Sequence, residues 1–149
     1  MAEFLQFTLD KFTFKVATDR YYTVEGMWAK ADGSHVTIGL SDYLQQRSGD
    51  VAFAEVVAVG TVVNRGDEIA HIETIKVDIS LPSPLSGSVL EVNPALEMEA
   101  ERINQDPYGE GWLAVMAATD WPSDQANLLD PPTYLARIRV EAEAEVKKL

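Results

Sequence analysis

Two histidines are the first candidates for chemistry in this chain. His35 and His71 lie far apart, and neither has a pair of carboxylates at metal-ligand spacing in sequence, so no zinc or iron site is expected. Cysteine is absent, which removes disulfides, thiolate ligands and thiol nucleophiles together. Neither the dinucleotide fingerprint nor the P-loop pattern occurs. Arg65-Gly66-Asp67 is read as a turn with a glycine at its positive-φ position rather than as an adhesion motif. Acidic groups such as Glu97/Glu99 and Glu141/Glu143/Glu145 have nothing beside them to drive their pKa values apart, and they read as solvated faces. No catalytic residue is expected, and the chain is not read as an enzyme. What remains is a lysine. In Ile69-Ala70-His71-Ile72-Glu73-Thr74-Ile75-Lys76-Val77-Asp78-Ile79-Ser80-Leu81, apolar residues hold odd positions from Ile75 to Leu81, whereas Ile72 has the other parity. Strand side chains alternate with period two, so a turn or bulge must intervene, and it is placed at Glu73-Thr74. Lys76 follows it on the face of Asp78 and Ser80, as an exposed amine at or beside a hairpin tip. Alone, such a lysine is a solvated charge.

The elements that must hold this tip are mostly strands. Short apolar runs punctuated by turns fill positions 4 to 92. Met27-Trp28-Ala29-Lys30 and His35 to Leu40 flank Ala31-Asp32-Gly33-Ser34, a hairpin signal. Ser41 and Asp42 cap a short helix through Tyr43 to Arg47, Gly49 stops it, and a strand follows over Val51–Val56. Turns at Val59-Gly60, Asn64 to Asp67 and Pro82-Ser83-Pro84 give the strand spacing of a small barrel or sandwich. Asn93-Pro94 opens a helical stretch around Ala95 to Arg102, and a strand is expected at Trp112 to Met116. Ser123 caps a turn through Leu128 and Leu129. A helical tail begins at about 133, with Tyr134, Leu135, Ile138 and Ala142 on one face and Glu141 to Leu149 solvated.

One domain covers 1–149, and a chain of this length buries roughly 68–70% of its unfolded surface, enough for a core without staples. Acidic residues outnumber basic ones by 24 to 12, a formal charge of −12 that repels nucleic acid and anionic membranes. The opening residues have no basic and apolar leader pattern and no stretch approaches the roughly 20 apolar residues of a membrane span, so a cytoplasmic protein is expected; it is also read as a monomer.

Several runs resemble the glycine cleavage H-protein family. Glu73-Thr74-Ile75-Lys76-Val77 resembles its E-S-V-K-A tip. Ser83-Pro84-Leu85-Ser86-Gly87-Ser88-Val89-Leu90-Glu91-Val92-Asn93 resembles its S-P-x-S-G-x-V-x-E-V-N strand, and Ile103-Asn104-Gln105-Asp106-Pro107-Tyr108-Gly109-Glu110-Gly111-Trp112-Leu113 its I-N-x-D-P-Y-G-E-G-W-L run. Gly39-Leu40-Ser41-Asp42-Tyr43 and Ser48-Gly49-Asp50-Val51 resemble its G-I-T-D-Y and L-G-D-I elements. In order, these cover about Tyr22 to Leu135. The resemblance implies a mainly β fold, a lipoyl-domain-like barrel-sandwich hybrid with short peripheral helices and a C-terminal helix. It also implies lipoate bound covalently to Lys76, with Glu73 taking part in recognition of the tip. Trp28, Trp112 and Tyr108 are read as packing residues.

Departures from the pattern bear on the cargo. The family's usual Y-x-x-S/D-H-E-W reads Tyr22-Thr23-Val24-Glu25-Gly26-Met27-Trp28 here, so Met27 replaces a glutamate, and Ser80 stands where an acidic residue follows the lysine by four. Both carboxylates that would face a substrate amine are thus expected to be missing. The tip, the run Leu44 to Val51 and the N-terminal extension through Phe12-Thr13-Phe14 resemble the lipoate-binding proteins of the heterodisulfide-reductase-like sulfur-oxidising pathway. That resemblance implies a swinging arm carrying a sulfur-containing unit. Its partners would be a lipoate ligase or lipoyl transferase, the heterodisulfide-reductase-like complex and a dihydrolipoamide dehydrogenase. The alternatives are the glycine-cleavage carrier of an aminomethyl group, and an unlipoylated binding or regulatory module.

Overall fold

The computed structural model describes residues 3–147, and the end of the expected tail at 148–149 lies outside them. β1 (Phe4–Leu9) and β2 (Phe12–Ala17) form an antiparallel hairpin from the N-terminal extension. A six-stranded sheet has the order β3-β4-β5-β11-β10-β7, from β3 (Tyr21–Tyr22), β4 (Met27–Asp32), β5 (His35–Leu40), β7 (Val62–Val63), β10 (Gly87–Val92) and β11 (Ala114–Ala118). A three-stranded sheet has the order β6-β8-β9, from β6 (Val51–Val56), β8 (Glu68–Thr74) and β9 (Asp78–Pro82). The mainly β hybrid expected from the sequence is the fold observed. No helix among the described residues is long and apolar enough to cross a membrane.

Residues of both larger sheets share one core, including Ile38, Leu40, Ile69, Ile72, Leu81 and Met116. A second cluster lies under the β1–β2 hairpin and is closed by α4 (Pro131–Lys147). The helical tail expected from about 133 is this helix, its expected apolar face is the docked one, and Glu143 to Val146 beyond it are exposed as read, with Ala142 alone buried in the part expected to be solvated. Tyr134, Ile138 and Ala142 are all buried, and the Tyr134 ring stacks on Tyr22 with centroids 4.4 Å apart. The apolar face is narrow, but the N-terminal hairpin supplies a partner for it through Phe7 and Phe14, a pairing that the helical spacing of the tail does not itself reveal.

Local signals held where one residue dictates the geometry. The β4–β5 hairpin turns at Gly33-Ser34, with Gly33 at φ 65°. α1 (Asp42–Ser48) is capped by the Ser41 side chain and ends at Gly49. Other boundaries moved. The stretch after Asn93-Pro94 splits into a 3-10 turn over Pro94–Glu97 and α2 (Arg102–Gln105), while β11 begins two residues later than Trp112. α3 (Trp121–Gln125) is capped by Asp120, which accepts from the Ser123 amide, rather than by Ser123.

The three packing aromatics differ in depth. Trp28 is 2% exposed, its indole Nε1 donates to Pro107 O (2.9 Å), and the Arg20 guanidinium lies 4.5 Å from its ring centroid. A Cβ on Gly39 would meet that ring at 2.6 Å, so only glycine fits beneath it. Burial pushes the Tyr108 phenol up to about 12, so at neutral pH it stays a neutral donor to Lys15 O (2.7 Å). Trp112 is only half-buried. Trp28→Ala is therefore expected to cost about 3–5 kcal/mol and Trp112→Ala clearly less, as read by denaturant unfolding. Equal losses would contradict this ordering.

Candidate functional site

The β8–β9 hairpin sets the position of Lys76. Glu73 faces Asp78 in register, and the Thr74 amide donates to Val77 O (2.8 Å), leaving Ile75-Lys76 as the tip. The parity change falls there rather than at Glu73-Thr74. Ile75 is consequently 76% exposed and Val77 42%, so neither joins the core, whereas Ile72 and Ile79 are paired across the hairpin on the core side.

Thr74 organises this turn, a role that sequence reasoning missed. Its hydroxyl oxygen accepts from the Lys76 and Val77 amides (3.1 and 3.0 Å) and its proton goes to Ser48 O (2.7 Å), at the end of α1. Ile75 N donates to Asp50 O (3.2 Å), a second tie to the same segment. From the other side, the Asn104 amide group donates to Gly49 O and Gln45 Oε1 (both 3.0 Å) and its carbonyl accepts from Val51 N (2.8 Å). The segment after α1 is thus held between α2 and the tip. A threonine just before a turn is the signal that was available, since its hydroxyl can satisfy amides two and three residues on.

The Lys76 stem lies across this segment. A Cβ on Gly49 would meet Lys76 Cδ at 3.1 Å, and Gly49 has φ 94° and ψ −172°, a conformation essentially restricted to glycine. Gly49 therefore both ends α1 and leaves room for the lysine. Nζ donates to Arg47 O (3.0 Å), one of the last-turn carbonyls that favour a cation. The amine is exposed, and among the described residues no carboxylate forms an ion pair with it.

Glu73 does not join Lys76. Its carboxylate lies 3.5 Å from His71 Nε2, and both stand with Asp78 on the outer face of the hairpin. The expectation that neither histidine has nearby carboxylates thus fails for His71, because strand register brings Asp78 opposite Glu73. Of the two positions expected to lack carboxylates, Met27 is wholly buried and unavailable. Ser80 differs: its hydroxyl donates to Glu68 Oε1 (2.6 Å), so a carboxylate from β8 stands one hydroxyl away. Glu25 is exposed on the wall of an open cleft that Pro82, Arg65 and Leu128 also line.

The family described as Glycine cleavage H-protein matches residues 20–141 of the chain. The glycine cleavage system H protein of Thermus thermophilus is 39% identical over 127 residues, covering 85% of this chain and 98% of that protein. A probable glycine cleavage system H protein of Thermococcus kodakarensis is also 39% identical, over 85% of this chain and 94% of its own. The crystal structure of a glycine cleavage system H protein from Mycobacterium marinum superposes with a TM-score of 0.73 at 28% identity, covering 80% of this chain and 96% of that one.

Thr74→Val keeps the shape of residue 74 and removes its hydroxyl, so the expected loss is about 1–2 kcal/mol in urea unfolding, with Thr74→Ser close to wild type. Gly49→Ala is expected to cost about 1–3 kcal/mol. A Thr74→Val protein as stable as wild type would show that the turn closes without its side chain.

Proposed function

This chain belongs to the glycine cleavage H-protein family, and we propose that it is a carrier rather than an enzyme, a single domain with lipoate in amide linkage on Lys76. The observation that carries the proposal is the setting of that amine: an exposed Nζ at a two-residue tip, held among the described residues by a backbone carbonyl alone. Acylation fits this setting, because it exchanges an ammonium with no carboxylate partner for a neutral amide whose N–H can still donate to Arg47 O. When bound, lipoate supplies a disulfide that can be opened to two thiols, a chemistry the cysteine-free chain lacks. The residues of the chain position and present. Thr74 and Asn104 fix the turn, Gly49 leaves space for the lysine stem, and Glu73 marks the tip for the lipoate ligase or lipoyl transferase. A dihydrolipoamide dehydrogenase is the partner that reoxidises such an arm.

For the cargo we favour the aminomethyl group of glycine cleavage over the sulfur-containing unit. The relatives described above carry the glycine-cleavage name, and Glu68, through Ser80, offers a carboxylate on the arm's own hairpin. A protonated amine held by such a group gains about 1.5–3 kcal/mol. The sulfur-pathway carrier, with the heterodisulfide-reductase-like complex as its partner, is the second reading. One observation favours it: Met27 is wholly buried and offers the amine nothing.

The test is glycine-dependent bicarbonate exchange, with glycine decarboxylase, by the lipoylated chain. Wild type is expected to support exchange, Glu68→Gln to lower it about tenfold or more, and Lys76→Arg to abolish it while shifting stability by no more than about 0.5 kcal/mol. Failure of the fully lipoylated wild type to exchange would overturn the aminomethyl reading in favour of the sulfur carrier.

A further inference from the structure

We propose that His71, Glu73 and Asp78 bind a divalent transition-metal ion of the zinc and cobalt class on the outer face of the β8–β9 hairpin. His71 and Glu73 are two apart on β8 and so point to one side, and the register sets Asp78 of β9 opposite Glu73 on that side. One ligand atom from each lies within 4.8 Å of the other two. Donors bound to one tetrahedral ion at about 2.0–2.2 Å stand about 3.4 Å apart. His71 Nε2 and Glu73 Oε1 are already at 3.5 Å, so only modest side-chain rotation would close the set.

The chemistry of the donors selects the ion. An imidazole nitrogen with two carboxylates suits zinc, cobalt or nickel, whereas calcium and magnesium take oxygen donors throughout. Three protein ligands leave a position open to water or to a donor from outside, unlike a closed structural site. The surroundings favour a cation. Glu55 faces His71 from β6, and Glu68 reaches the same face through its bond with Ser80, which pairs with His71 from the other side. Phe53, which pairs with Glu73 from β6, is uncharged, and the three strands contain no lysine or arginine to oppose the ion. The backbone under all three ligands is paired strand, so binding need not order a loop. The site lies just behind the Lys76 tip but takes no ligand from it, and it stands whether or not Lys76 is modified.

The experiment is calorimetric titration of the unmodified full-length chain with Zn2+, followed by Co2+ titration watched by NMR. One saturable site is expected, with Kd on the order of micromolar. His71→Ala should weaken it at least tenfold and Asp78→Asn severalfold, while His35→Ala, which removes the distant exposed histidine, should leave it unchanged. Co2+ should broaden resonances of residues around 53–55, 71–73 and 78–80 first. His71 is half-exposed and Asp78 exposed, so both variants are expected to fold, and Asp78→Asn carries the test if His71→Ala does not. No saturable binding, binding untouched by either substitution, or an equal loss in His35→Ala would each overturn the proposal.

Discussion

The Thr74 hydroxyl takes two amide protons from the turn that follows it and gives its own to the last turn of α1, so this one oxygen ties the Lys76 turn to the helix beside it. Without it, the turn would keep its Thr74 N to Val77 O bond and the pairing of Thr74 with Val51, but the two tip residues would be tied to the segment after α1 only by the Ile75 amide on Asp50 and by Nζ on Arg47 among the described residues. With it, hairpin and helix form one unit, and the lysine leaves that unit from a defined point. A carrier needs this combination, since its arm must move while its root stays fixed.

The rest of the fold supports the same unit at increasing distance. Asn104 pins the far side of the Gly49–Val51 segment, and the run around it is itself anchored where Trp28 donates to Pro107 O and Tyr108 bridges Lys15 and Asp42. At the other end of α1, the Ser41 cap shares a 2.7 Å hydrogen bond with the Tyr134 phenol, buried at the root of α4. Ser41 thereby couples the C-terminal helix, through the first residue of its apolar face, to the helix beside the lysine. The long aromatic and glycine-rich run in the sequence serves this bracing, and among the described residues Lys76 donates its hydrogen bonds to Thr74 and Arg47 instead.

How much of this was legible in the sequence follows from the range of each interaction. The Ser41 cap, the Gly49 stop and the Gly33 turn are local, and each residue type has a single backbone job there. The parity break located the lysine tip to within two residues, because period-two alternation is a local rule as well. What stayed hidden depends on pairing between distant segments. Ser80 was read as the loss of a carboxylate because Glu68, twelve residues earlier, becomes its neighbour only through strand register. His71 looked isolated for the same reason. Met27→Glu, the substitution a sequence comparison suggests for restoring an anchor, would place a carboxylate in the core instead. The family resemblance gave the lysine its meaning, since an exposed amine has none of its own.

The claim on which everything else depends is that Lys76 is the one attachment point, and mass spectrometry reads it directly. The full-length chain would be co-expressed with a lipoate ligase and supplied with lipoate, then weighed intact and mapped by peptides, with Lys76→Arg alongside. The account predicts one lipoyl amide per chain, confined to the peptide containing Lys76 and lost in the variant. An unmodified Lys76, or the same mass gain persisting in Lys76→Arg, would contradict it.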